Sequence, residues 1–140
     1  MNFKNIHIGN LINERVTESE IEISRICNFF KCSVKEIQTM YDEKYLDTGT
    51  LLKWCKLLEY DFFRLYSQHL ILYAPPTTGA KKSSNDVNPG LPQFRKNLYT
   101  KEIIEFILEM INTEEKTKYQ IIEDYKIPKT TLYKWIEKYR

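Results

Sequence analysis

The sequence predicts an all-α fold made of two small helical domains joined by a flexible linker. Apolar residues recur every three or four positions through both ends of the 140-residue chain, as they do along one face of a helix. No segment alternates apolar and polar residues with the period of two that is typical of half-buried strands. Four of the five prolines and two of the four glycines fall within residues 74–93, which indicates a linker.

These patterns divide the chain into a first domain at residues 1–73, a linker at 74–94 and a second domain at 95–140. As a flexible coil, a linker of this length would hold its ends roughly 25 Å apart on average. Two domains joined in this way can reach major grooves about 34 Å apart, which is one turn of DNA.

The first domain is predicted to contain five helices. Apolar stripes and capping residues place them at residues 8–16, 23–30, 33–41, 47–58 and 61–73. The third begins with a capping-box pattern, in which the Ser33 hydroxyl accepts from a first-turn amide and the Glu36 carboxylate reaches back. Asp47 is expected to cap the fourth helix. The stripe predicted to face inward on that helix consists of Leu51, Leu52, Cys55 and Leu58.

The second domain is predicted to contain three helices. Thr100 begins the first and Thr117 the second, because a threonine side chain can cap a helix N-terminus. Pro128 fits the first turn of the third, where its missing N–H costs little. The side chains predicted to point inward on this third helix are Leu132, Trp135 and Ile136.

The positive charge of the chain is concentrated rather than large. The formal net charge is only +2, so the molecule is not a general polycation. Residues 1–73 carry nine basic and ten acidic side chains, whereas residues 74–99 carry four and one. Residues 126–140 carry five basic groups against a single acid, Glu137. A basic patch at this end of the chain favours binding to a polyanion.

The last predicted helix carries that patch on its outward face. With its apolar stripe buried, lysine, threonine and tyrosine side chains point outward near its N-terminal half. Such amines and hydroxyls can reach phosphates or base edges in the major groove of DNA. The residues predicted to contact DNA in this domain are Lys129, Thr130, Thr131, Tyr133, Lys134, Lys138 and Arg140.

The segment Ile127-Pro-Lys-Thr-Thr-Leu-Tyr-Lys-Trp-Ile-Glu-Lys-Tyr139 resembles the recognition helix of the homeodomain-like helix-turn-helix of insertion-sequence transposases and related bacterial regulators. The resemblance covers about residues 100–140 and is most specific in Thr-Leu-Tyr-Lys-Trp. Members of that family usually have Ser or Gly-X-Ser in the turn, where this chain has Lys126-Ile-Pro128. The resemblance implies a three-helix DNA-binding domain of the transposase-like type.

Residues 6–70 resemble the five-helix, Cro/C1-type domain of phage repressors and their bacterial relatives. The matching segments are residues 26–33, 34–41 and 48–63. By this resemblance, the third helix of the domain would enter DNA. The residues that it would turn toward DNA are Ser33, Val34, Lys35, Gln38 and Thr39.

Two departures from the repressor pattern leave a second role open for the first domain. Ile23 stands where that family commonly has a glutamine that contacts DNA, and the net charge of the domain is −1. Because specific binding depends on phosphate neutralisation, this domain alone should bind DNA weakly. The alternative is dimerisation or docking of a partner protein through Phe29, Tyr41, Tyr45 or the 66–73 segment.

Other classes of function find little support in the residues. No Gly-rich phosphate loop is present, no nucleophile–base set stands at credible positions, and no domain is left to hold a catalytic core. We therefore expect no enzymatic activity, no cofactor and no small-molecule substrate. Cys27, Cys32 and Cys55 lack zinc-ligand spacing, so packed, reduced thiols are expected rather than a metal site. No signal peptide or run of about 20 apolar residues is present, which predicts a cytoplasmic protein without membrane contact.

The sequence therefore predicts a sequence-specific binder of double-stranded DNA. Its role would be that of a transcriptional regulator, or of a non-catalytic accessory protein of a mobile element, associated with the nucleoid. Homodimerisation through the first domain is compatible with this role. The alternative is an adaptor that uses the repressor-like fold for protein interaction and dimerisation without reading bases.

Overall fold

The computed structural model describes residues 2–74, 90–92 and 99–139, and this part of the chain is all-α, as predicted, with no strand. All five helices predicted before the linker and all three after it are present. Their bounds are α1 (Ile8–Ser19), α2 (Ile23–Phe30), α3 (Val34–Asp42), α4 (Thr48–Leu58), α5 (Phe63–Tyr73), α6 (Lys101–Asn112), α7 (Lys118–Tyr125) and α8 (Lys129–Tyr139). None of these helices has the length and apolar character needed to cross a membrane.

Contacts between α-carbons group the residues into two compact units, 2–67 and 68–140. The boundary falls inside α5, so the first five residues of this helix belong to the first unit and the last six to the second. Of the predicted linker at 74–94, only Ala74 and residues 90–92 belong to the described part of the chain.

The first unit is built around isoleucines from three helices and a tryptophan from a fourth. The residues with no exposed surface are Ile8, Ile12, Ile26, Ile37 and Trp54. Helices α1 and α2 each pack against α3 and α4. The Trp54 indole N–H donates to the Met40 sulfur at 3.4 Å, and the Phe30 ring lies 4.6 Å from the tryptophan ring. The first of these contacts holds α3 against α4, and the second holds α2 against α4.

The inward stripe predicted for α4 is wrong at one position. Leu51 and Leu58 are buried as predicted, but Leu52 is 48% exposed and Trp54 is completely buried. A helix turns about 100° per residue, so positions three and four apart share a face. Leu51, Trp54 and Leu58 form one such stripe, with Cys55 partly buried in it, and the packing of α4 buries Trp54 rather than Leu52 at its edge.

The start of α1 lies unusually close to the end of α3. The Ile8 amide donates to the Lys44 carbonyl at 3.1 Å, and the Gly9 amide donates to the Glu43 carbonyl at 3.0 Å. A Cβ atom at Gly9 would lie 2.5 Å from the Met40 carbonyl oxygen and closer still to that of Tyr41. Glycine is therefore required here by the close approach of two backbones.

The helix starts agree with the capping residues predicted from the sequence. Ser33 and Glu36 form a complete capping box at α3. The side chains of Asp47, Thr100 and Thr117 each accept from a first-turn amide of α4, α6 and α7, respectively. The sequence did not predict the cap of α1, where His7 Nδ1 accepts from the Asn10 amide at 3.1 Å.

We expect the Asp47 cap to make stability sensitive to acid. The pKa of Asp47 is lowered, first by the Thr50 hydroxyl, which donates to the carboxylate at 2.6 Å, and then by the Thr50 amide. Because the folded-state pKa is below the unfolded one, this stabilisation is present at neutral pH and is lost as pH falls through the folded value. Asp47→Asn keeps a cap that does not titrate. The melting temperature should therefore fall less between pH 7 and pH 3 for this variant than for the parent. An equal fall would contradict a role of the Asp47 cap in acid sensitivity.

The second unit has its own apolar core. The buried apolar side chains among its described residues are Leu72, Ile103, Ile104, Ile107, Met110, Ile121, Tyr125, Ile127, Leu132 and Trp135. Helix α8 packs against both α6 and α7. The Tyr99 ring meets the Trp135 ring edge-on at 4.9 Å, and the Tyr73 ring at the end of α5 meets the Tyr125 ring at 6.2 Å. The burial of Leu132 and Trp135 fixes which face of α8 points outward.

Candidate nucleic-acid interface

Two pairs of helices in the chain are joined by turns of the same construction. Three residues separate α2 from α3 and three separate α7 from α8. The first residue of each turn, Lys31 or Lys126, is a lysine in the left-handed region with φ of 54°. The second, Cys32 or Ile127, packs inward, partly buried in one case and fully in the other. Each pair therefore consists of two helices joined by a three-residue turn with a left-handed first residue and an inward second residue, a connection that a helix-turn-helix can use.

Left-handed backbone is common at helix ends in this chain, and glycine occupies none of these positions. The five non-glycine residues with positive φ in the described part are Glu20, Lys31, Glu59, Glu114 and Lys126. A side chain at such a position costs roughly 1 kcal/mol relative to glycine. Lysine occupies this position in the turns before α3 and α8, and glutamate occupies it at the other three helix ends.

The second turn differs slightly from the prediction at Pro128. This residue immediately precedes α8, and its carbonyl accepts from the Leu132 amide at 3.1 Å. It therefore occupies the N-cap position, one residue earlier than the predicted first turn. Its fixed φ and missing N–H suit this position, because a proline that precedes the first turn removes no hydrogen bond from the helix.

The outward face of α8 contains most of the residues predicted to contact DNA. Those that are exposed are Lys129, Thr130, Tyr133, Lys134 and Lys138. Thr131 is partly buried and lies at the edge of this face. Arg140 lies outside the described residues. We call the five exposed residues, together with Lys118, the α8 surface.

Lys118 joins this surface from the first turn of α7. Its Nζ lies 5.5 Å from the centre of the Tyr133 ring, and the Lys129 Nζ lies 5.6 Å from the same ring. Cations at such distances are attracted by the face of the ring. Two lysines from two helices are thereby held beside one exposed phenol. The sequence alone did not single out Lys118, because only the packing of α7 on α8 brings it to Tyr133.

Charge is unevenly distributed within the second unit. Residues 116–139 carry six lysines and three acidic side chains, a net charge of +3, whereas residues 100–115 carry one lysine and five glutamates. Lys116 is engaged with the Asp124 carboxylate at 2.6 Å, and this hydrogen bond is the main reason that the pKa of Lys116 is raised. Within residues 99–139, the positive charge that faces outward therefore comes mainly from the lysines of the α8 surface.

The residues of α3 predicted to face DNA are also exposed. They are Ser33, Val34, Lys35, Gln38 and Thr39, and Ile37 between them is completely buried. Two of their hydroxyls have local partners. The Ser33 oxygen accepts from the Glu36 amide, and the Thr39 hydroxyl donates to the Lys35 carbonyl at 2.9 Å. Only Lys35 is basic, so this face offers less charge to phosphates than the α8 surface does.

An open groove of about 1090 Å³ lies beside α2 in the first unit. Its polar lining includes both signs of charge, from Arg15, Glu18, Glu20, Glu22, Arg25, Lys56 and Glu59. Phe29 lines the groove and is 43% exposed, and Tyr45, elsewhere on the unit, is 69% exposed. Tyr41 is partly buried against Trp54. Of Phe29, Tyr41 and Tyr45, which were predicted to contact a partner protein, Phe29 and Tyr45 are therefore the ones exposed to solvent.

Comparison of the chain with protein-family models, with curated proteins and with solved structures finds no match. The resemblance to two helix-turn-helix families stays an expectation based on the residues that carry it. Within the described residues, no group of three or more His, Cys, Asp and Glu side chains is arranged to hold a metal ion.

Proposed function

We propose that this protein binds double-stranded DNA through the α8 surface. The observation that carries the proposal is the convergence of Lys118 and Lys129 on Tyr133, because it brings two helices of one helix-turn-helix to a single basic, exposed face. The five glutamates of residues 100–115 belong to α6 and the loop after it. The uneven charge favours one orientation of the unit toward a polyanion.

The dimensions of α8 suit the major groove of B-DNA. Its 11 residues give a helix about 16 Å long. A helix with its side chains is about 10–12 Å wide, and the major groove is about 12 Å wide. Lys118 and Lys138 near the two ends of the surface would contact phosphates, which positions the helix. Thr130 would reach base edges, where hydroxyls and amines can distinguish base pairs, and Lys134 would reach either a phosphate or a base edge.

The first unit would have a secondary part in this function. Its helix α3 presents Lys35 and Gln38 outward, and Gln38 suits the paired donor and acceptor of adenine. The net charge of −1 leaves this unit little affinity for phosphates on its own. It would add base contacts, homodimerisation or both to the affinity supplied by α8. A transcriptional regulator or a non-catalytic mobile-element protein fits this division of roles.

A protein-interaction adaptor is the second candidate. It is favoured by the partly exposed Ile23 and Phe29 on α2, because apolar side chains rather than basic ones stand at the start and end of that helix. In that case the first unit would bind another protein. If the protein is such an adaptor, it should show no affinity for DNA that depends on the α8 surface.

The dependence of affinity on salt tests the DNA-binding proposal. If Lys118, Lys129, Lys134 and Lys138 each neutralise one phosphate, log K should fall with log salt concentration at a slope of about −3.6. The affinity of the whole chain for a labelled random duplex would then drop roughly 150-fold between 50 and 200 mM salt. Fluorescence anisotropy measures this directly. No binding at low salt, or a slope near zero, would reject the proposal.

A further inference from the structure

Two cysteines occupy positions that the end of α2 brings together. The helix ends at Phe30, and Lys31 follows in the left-handed conformation. The Cys32 amide then donates to the Cys27 carbonyl at 3.2 Å. A hydrogen bond that links the first and sixth residues of such a segment is characteristic of the Schellman motif at helix C-termini. The side chains of those two residues commonly contact each other. In this chain both of those side chains are thiols.

We propose that Cys27 and Cys32 form a redox-active pair that closes to a disulfide across the first helix-turn-helix turn. The inference does not depend on DNA binding.

The backbone geometry permits this bond. With the amide and carbonyl 3.2 Å apart, the two α-carbons can be no more than about 7 Å apart. A disulfide spans α-carbons separated by about 4.4–6.8 Å. Both thiols are partly buried, and both pack against the apolar core of the first unit. The pair is therefore already close before any covalent bond forms.

The third cysteine provides a matched comparison within the same unit. Cys55 occupies the position at the end of α4 that corresponds to Cys27 at the end of α2. The Tyr60 amide donates to the Cys55 carbonyl at 3.1 Å, and Glu59 between them is left-handed. The facing position is a tyrosine there, so Cys55 has no thiol partner across its own helix end. It should remain reduced under conditions that oxidise the pair.

Oxidation by a small disulfide such as oxidised glutathione balances simply. A Cys thiolate attacks the glutathione disulfide, releases one glutathione and forms a mixed disulfide. The other protein thiol then displaces the second glutathione. Two protein thiols are oxidised to one disulfide, one oxidised glutathione is reduced to two thiols, and the two thiol protons end on those products.

The surroundings of Cys32 disfavour its thiolate form. Burial, and then the Glu36 carboxylate, raises the pKa of the Cys32 thiol. Because the thiolate is the attacking species, closure should accelerate as pH rises. Glu36→Gln should accelerate it at neutral pH. A glutamine can complete the capping box, as Gln120 does with Thr117 at α7, so this variant changes the charge and keeps the cap.

Peptide mapping of the whole chain tests the proposal. After equilibration with oxidised glutathione, the remaining thiols are alkylated and the chain is digested with trypsin, which cuts after Arg25, Lys31 and Lys35. Closure joins the peptide of residues 26–31 to that of residues 32–35 and leaves Cys55 alkylated. Cys55→Ser should leave the joined peptide unchanged. Recovery of Cys27 and Cys32 both alkylated, or of either joined to Cys55, would overturn the assignment.

A second measurement distinguishes the effect of the folded helix end on disulfide formation from the effect of the short separation of the two cysteines in the sequence. The equilibrium between the reduced Cys27 and Cys32 thiols and their disulfide is measured in glutathione redox buffers. It is measured once for the folded chain and once for the chain unfolded in 6 M guanidinium. If the helix end holds the thiols together, the folded chain should favour the disulfide at least tenfold more than the unfolded chain. A ratio near one would show that the helix end contributes nothing to closure, and the proposal would be rejected.

Discussion

Replacing both Lys129 and Lys134 by glutamate is expected to lower the affinity for duplex DNA by roughly 100- to 1000-fold at 100 mM salt. Both side chains are exposed on the α8 surface, where each would neutralise a phosphate or donate to a base. Each substitution removes one positive charge and adds a negative one beside the DNA. The slope of log K against log salt should become shallower as well, because fewer counterions are released.

The matched control reverses the charge of two lysines that do not belong to the α8 surface. Lys53 and Lys101 are exposed on α4 and α6, so Lys53→Glu with Lys101→Glu changes the net charge by the same amount. This control should lose only a few-fold in affinity. Equal losses of affinity in the two double variants would show that the total charge of the chain, rather than the α8 surface, determines binding. Retained affinity in the α8 variant would move the contact elsewhere on the chain, and circular dichroism would verify that both variants stay helical.

Gly9→Ala is expected to destabilise the first unit by about 3 kcal/mol or more. The added methyl group would meet the carbonyl oxygens of Met40 and Tyr41, which are backbone atoms and cannot rotate away. Relief requires α1 to move off the end of α3, and this would break the bonds from the Ile8 and Gly9 amides. Urea unfolding followed by tryptophan fluorescence measures the change, because one of the two tryptophans, Trp54, lies in the core of the same unit.

Gly49→Ala provides the control for that substitution. Gly49 lies in the first turn of α4, and a Cβ there would meet only the Asp47 carboxylate, at 3.3 Å. Alanine is favoured over glycine in helices by up to about 1 kcal/mol, so this variant should be neutral or more stable. If Gly9→Ala lies within about 0.5 kcal/mol of the parent, then the start of α1 adapts and the close approach of the backbones is not essential.

Local signals in the sequence were sufficient to predict the helices. Ser33, Asp47, Thr100 and Thr117 cap the helices that they were expected to cap. Capping depends on residues within one turn of each other, so no knowledge of the tertiary fold is needed. The outward residues of α8 followed in the same way from the inward positions of Leu132 and Trp135.

Features that depend on contacts between helices could not be predicted in this way. Leu52 and Trp54 are both large and apolar, and only the packing of α4 decides which is buried. Lys118 belongs to the α8 surface because α7 folds back on α8. The need for glycine at position 9 arises from residues more than 30 positions further along the chain. In each case the deciding partner is distant in sequence.

The left-handed residues at the helix ends have a consequence for protein engineering. Glu20, Glu59 and Glu114 lie outside the α8 surface, and a glycine at each would relieve backbone strain of roughly 1 kcal/mol. Together these three substitutions would remove three negative charges and leave every lysine in place. A more stable form with a more positive net charge is therefore expected from changes at helix ends alone. Tolerance to mutation elsewhere in the chain would increase with it.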